Sequence, residues 1–117
     1  MAVAEMRTGD VIFARDEDKF LVRIPKKDIY FIETIKSTHY CQIYYRQGTA
    51  ILKADICRLE TELGAEFLKV RSSTLVNVRY IRRIDQKNRI LHLDGSRGLT
   101  CSYAAKSYRE LKERLHI

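Results

Sequence analysis

Apolar positions in this chain fall mostly into short runs and alternations, which predicts a domain made largely of strands. "DVIFARDEDKFLVRIP" (10–25) reads as two short strands around a charged turn at Arg15–Lys19, closed by Pro25. "DIYFIET" (28–34) is a nearly continuous apolar run, as expected of a strand buried on both faces. "HYCQIYYRQGTAILK" (39–53) predicts a hairpin with Gln47-Gly48 as its turn. "FLKVRSSTLVNVRYIRRI" (67–84) starts apolar, bends through Arg71–Thr74 and resumes at Leu75. "RRIDQKNRILHLDGSRGLTCSY" (82–103) alternates strands with turns at Gln86–Asn88 and Asp94–Gly98.

Two segments break into helical spacing. In "KADICRLETELG" (53–64), Ile56, Leu59 and Leu63 share one stripe, Asp55 can cap the start and Gly64 ends the helix. Arg58, Glu60 and Glu62 then face outward as a solvated surface. In "KSYRELKERLHI" (106–117), Tyr108, Leu111 and Leu115 form a second stripe. Strands outnumber helices and turns are short, so the pairing is expected to be mainly antiparallel.

A length of 117 residues with 45% hydrophobic content fits one domain around one core, spanning 1–117 with its folded part at about 11–115. That length leaves no room for a phosphoacceptor receiver domain as well. No apolar run reaches the ~20 residues a bilayer span needs, and no signal-peptide pattern opens the chain, so a soluble cytoplasmic protein without membrane insertion is expected. Cys41, Cys57 and Cys101 are odd in number and lack CxxC spacing, which argues against a disulfide scaffold or a closed zinc site. His39 and Cys41 could share a strand face, but buried or idle thiols are the simpler reading, and neither metal nor cofactor is expected.

Charge narrows the function. Lys and Arg total 22 against 15 Asp and Glu, a net +7, which attracts polyanions. Residues 69–89 hold seven cations and the single acid Asp85, whereas the first 33 residues hold seven acids. There is no GxSxG elbow, no HExxH and no glycine-rich phosphate loop, and Glu33 reads as a hydrogen-bonded carboxylate within its strand; the chain is not expected to be an enzyme.

Nucleic acid remains in two forms. A single-strand or RNA binder would display aromatics among cations on an open sheet face, with Tyr40, Tyr44 and Tyr45 as candidates, although strand aromatics more often belong to a core. A duplex reader needs cations and short polar side chains on protruding loops. "IKSTH" offers Lys36, Ser37 and His39. "VRSST" offers Arg71, Ser72 and Ser73. "AKSYR" offers Lys106, Ser107 and Arg109 at the opening of the last helix. Each alone is an ordinary polar loop, and a basic protein-interaction module is a further alternative. Three such loops in one small basic domain favour duplex DNA.

The residues "DIYFIETIKSTHY", "FLKVRSSTLVNVRYIRRID" and "LTCSY…REL" resemble the LytTR DNA-binding domain, the output module of AgrA- and ComE-like response regulators. The similarity runs from about Val11 to Leu115. Its most specific element is Phe67, Val70, Arg71, Ser73, Val76 and Asn77, with the Asp28–Glu33 strand a fitting distance upstream.

The resemblance implies an elongated, mainly β body of small antiparallel sheets stacked with one or two short helices. It implies a sequence-specific transcriptional regulator of two-component or quorum-sensing type. Such domains place loops in successive major grooves of double-stranded DNA, often at promoter sites arranged as paired direct repeats, with a possible homodimer on the DNA. His39 would take the first major groove and Lys106 the second, with Ala104 as the alternative alignment. Lys87 and Arg89 would contact phosphate. Ser72 departs from the longer Arg or Asn usual at the central contact, and Arg71 replaces the motif histidine. Asn77 is expected to be a buried amide pairing with backbone.

Overall fold

The computed structural model, which describes residues 10–95 and 98–117, is mainly β. Its strands are β1 (Val11–Asp16), β2 (Leu21–Pro25), β3 (Ile29–Thr34), β4 (Tyr40–Tyr45), β5 (Gly48–Lys53), β6 (Phe67–Arg71), β7 (Thr74–Asn77), β8 (Ile81–Asp85), β9 (Ile90–Leu93) and β10 (Thr100–Ser102). Two helices, α1 (Ile56–Leu63) and α2 (Tyr108–Leu115), complete it. All pairings are antiparallel. One sheet has seven strands in the order β2-β1-β5-β4-β3-β7-β6, and the other has three in the order β10-β9-β8. The body is elongated, 47 × 28 × 27 Å.

The apolar run of β3 lies inside the large sheet, between β4 and β7, and feeds both faces. Ile29 and Ile32 join a first core with α1, whose Ile56, Leu59 and Leu63 are buried. Phe31 points to the opposite face and joins a second core with Leu91, Leu93, Tyr103 and Leu111, under the small sheet and α2. A register shift between Ile29 and Phe31 in the β3–β4 ladder accompanies this change of face. Complete burial of Leu111 contributes roughly 1.5–3 kcal/mol to seating α2.

Local signals act as the sequence suggests around α1. The Asp55 carboxylate accepts from the Arg58 N–H at 2.9 Å, and Gly64 ends the helix at φ 85°. Three turns differ from expectation. Arg15 and Asp16 still belong to β1, because Asp16 Oδ1 accepts from both Asp18 and Phe20 N–H and thereby holds the turn beyond it. The β4–β5 loop is Arg46–Gln47, and Gly48 already pairs with Tyr45. A 3-10 turn, Ala105–Ser107, precedes α2, so "AKSYR" does not begin as an α-helix. In the expected Asp94–Gly98 turn, residues 96 and 97 lie outside the described residues.

Candidate nucleic-acid interface

The three polar loops meet at one end of the large sheet. The β3–β4 loop is pinned by its own bonds: the Ile35 N–H reaches the Tyr40 carbonyl at 2.9 Å and the Thr38 hydroxyl the Ile35 carbonyl at 2.7 Å. Ser37 takes a left-handed φ of 64° at its tip, uncommon for a residue with a Cβ. Lys36, Ser37 and His39 are exposed on this stiffened loop.

The Ser72–Ser73 turn sits beside it, because β7 pairs with β3. The Thr34 N–H donates to the Ser73 carbonyl at 2.9 Å, which ties the two loops together. Buried Thr74 and Asn77 hold β7. Asn77 Nδ2 donates to the Ile29 carbonyl at 3.0 Å, and its Oδ1 accepts from the Arg79 N–H at 3.3 Å. This is the backbone-pairing role expected of Asn77.

From that turn the path continues to the third loop. Arg71 Nη1 donates to Ser102 Oγ at 3.1 Å. The Val70 carbonyl accepts from the Ala104 N–H at 2.8 Å and from the Ser107 hydroxyl at 2.9 Å. Ala104 is therefore held by its backbone, while Lys106 and Arg109 are exposed. Ser107 supports the loop through a hydroxyl already engaged with backbone.

The β8–β9 turn closes the strip. The Arg89 carbonyl accepts from the Tyr103 N–H at 3.1 Å, and Gln86 Nε2 donates to the Tyr108 hydroxyl. Asn88 donates twice to the Asp85 carboxylate, through Nδ2 at 2.9 Å and its N–H at 3.1 Å, which lowers the Asp85 pKa. Arg89 has φ 55°, and both Lys87 and Arg89 are exposed.

Among the described residues, the strip carries cations without carboxylate partners. Lys36, Arg71, Lys87, Arg89, Lys106 and Arg109 take part in none of the six ion pairs among the described residues. Those pairs use Lys26, Arg46, Arg58, Lys69, Arg82 and Arg114 instead. The strip's cations are unneutralised, as a polyanion site requires.

The family model of the LytTr DNA-binding domain matches residues 19–116. The chain belongs to the LytTR family. LytTR domains are non-catalytic DNA-binding modules of transcriptional regulation, and that is the broad role of this chain. Among solved structures, it is similar to the LytTr DNA-binding domain of a protein from Bacillus cereus described as a methyl-accepting/DNA response regulator. The TM-score is 0.77 at 16% identity, over 92% of this chain and 98% of that one, so the likeness concerns the LytTR fold. A comparison with curated protein sequences finds no match.

Hydrogen bonds link the loops that carry the expected residues, and two features of that linkage have no local mark in the sequence. Ser102 positions Arg71 across 31 residues of chain, and the Val70 carbonyl anchors the loop before α2. Ser102 lies in the "LTCSY" segment, where nothing local marks it as a brace. His39 and Cys41 do not share a site: Cys41 is fully buried with its thiol on the Ala54 carbonyl, and burial raises its pKa, whereas His39 faces solvent. Of the three tyrosines, Tyr45 is buried and Tyr44 stacks on Phe31 at 4.2 Å, while Tyr40 is exposed. No described helix is long and apolar enough to cross a membrane.

Proposed function

We propose that the strip reads double-stranded DNA sequence-specifically, with the β3–β4 loop and the loop before α2 in successive major grooves. His39 and Lys106 are the base readers, and exposed Lys106 suits that role better than Ala104. Lys36, Lys87, Arg89 and Arg109 neutralise phosphate. The Arg71–Ser73 turn lies over the minor groove between them, where short Ser72 and Ser73 side chains allow the backbone close to phosphate and Arg71 supplies charge. Ser37 and Ser107 act mainly by shaping their loops.

The observation that carries this reading is the bond path Thr34–Ser73, Arg71–Ser102, Val70–Ala104, which fixes three loops as one surface. A body 47 Å long also exceeds the span of one duplex turn, roughly 34–36 Å. The chain acts as a single domain in the cytoplasm, as the output of a response regulator within a two-component or quorum-sensing pathway. Paired direct repeats in promoters, occupied by two copies, are its sites. Hydroxyl-radical footprinting on a bound duplex tests the groove assignment. Two protected windows about one helical turn apart on one face are expected; one short window would contradict it.

A further inference from the structure

Among the described residues, the sheet face that carries the second core is covered over β3, β7 and β6 and left open over β2, β1 and β5. Phe13 is 49% exposed on this open part, and Tyr40, at the start of β4, is 45% exposed. Register shows how they are arranged. Arg23 lies opposite Phe13, and Lys53 lies opposite Tyr40. Phe13 and Lys53 each stand two residues from the Arg15–Ile51 pair, on the same side of it and on the same face.

The β1–β5 pairing ends at Arg15–Ile51, and beyond it the order across this face of four neighbouring strands is Arg23, Phe13, Lys53, Tyr40: cation, aromatic, cation, aromatic. Neither cation belongs to an ion pair among the described residues. The row ends beside the duplex strip, since Tyr40 follows His39 and the His39 carbonyl accepts from the Ala54 N–H at 3.2 Å. On its other side Glu17 accepts from the Thr49 hydroxyl at 3.1 Å, so the hairpin tip repels a polyanion.

We propose that this row binds single-stranded DNA. Arg23 and Lys53 take phosphates, and Phe13 and Tyr40 take the faces of unpaired bases. The rings stand two strands apart, about 10 Å at ordinary strand spacing and more where β1 and β5 are no longer paired, so each holds its own base. Duplex DNA cannot use the rings, because its base faces are stacked inside. An acidic protein would match the cations but has no need of the alternation. DNA is the assigned nucleic acid because the row continues the surface at His39, where an unpaired strand leaving a duplex meets Tyr40 next. That continuity rests on the duplex reading above, whereas the chemistry of the row does not.

Fluorescence anisotropy with the whole chain tests the proposal. The probes are a labelled oligo-dT of about 15 nucleotides, within the usual span of such sites, the matching oligo-U, a blunt duplex, and that duplex with a dT overhang. Oligo-dT is expected to bind, and the overhang to bind more tightly than the blunt duplex. Phe13→Ala and Tyr40→Ala should each weaken oligo-dT by about tenfold while leaving the blunt duplex and the melting temperature unchanged. No oligo-dT binding, or variants that bind it like the native chain, would overturn the site. Tighter binding of oligo-U would overturn the assignment to DNA, and displacement by polyglutamate at equal charge would reduce the row to a charged patch. Loss of blunt-duplex binding alone would count against the duplex strip and leave this site standing.

Discussion

The Thr34 N–H donates to the Ser73 carbonyl at 2.9 Å, joining the ends of two strands whose loops are both polar and exposed. That bond adds one link to the β3–β7 ladder, which runs from Phe31–Val76 to Glu33–Thr74, and carries it to the base of both loops. With it they move as one surface, because Thr34 and Thr74 both continue ladders of the large sheet. Hydrogen exchange should accordingly find the Thr34 amide protected on the scale of Leu75, with the exposed Lys36 amide exchanging far faster. Equal, rapid exchange at Thr34 and Lys36 would mean that the two loops are not coupled.

Readers and anchors should separate by their response to salt. Lys87→Ala is expected to weaken all duplexes alike and to reduce the slope of log affinity against log salt by about one unit. His39→Ala and Lys106→Ala should instead narrow the gap between preferred and random duplexes, by roughly 1–3 kcal/mol where a good base contact is lost. Titrations at two salt concentrations with both duplex types distinguish the two behaviours.

Asn77 contributes through packing and hydrogen bonds rather than through DNA. Asn77→Ala leaves the buried Ile29 carbonyl without its side-chain donor, at a cost of about 1–3 kcal/mol. Asn77→Asp should be at least as damaging, because an ionised carboxylate cannot donate to that carbonyl. Urea denaturation measures both, and the salt dependence of DNA binding by the folded fraction should stay native.

The legible part of the fold is the part specified locally. Asp55, Gly64 and the Ile56–Leu59–Leu63 stripe delimit α1 within a dozen residues, so the sequence alone places that helix. The order of strands depends on partners far away, such as Phe31 with Val76, and no local pattern names them. The same holds at the site. Each loop stands out by its cations and short donors, but their union depends on Arg71 meeting Ser102 and on Val70 meeting Ala104. The open sheet face was hidden for a related reason. Val11, Ile12 and Phe13 are all apolar, so alternation could not tell that Ile12 points into the core while Phe13 faces solvent.

The cysteines should report the two cores. Burial, helped by the negative charge of Glu33, pushes the Cys101 thiol up to about 12, and burial also raises Cys41. Cys57 is exposed on α1. Iodoacetamide at mildly alkaline pH should thus modify one of the three thiols in the native protein and all three after denaturation, as read by intact mass.

Selection from a random duplex library, sequenced at low and at moderate salt, tests the central claim most directly. Enrichment of a short motif, repeated at helical spacing and persisting at the higher salt, is the predicted result. Binding that disappears with salt and enriches nothing would contradict it, leaving a basic surface that holds DNA without reading it.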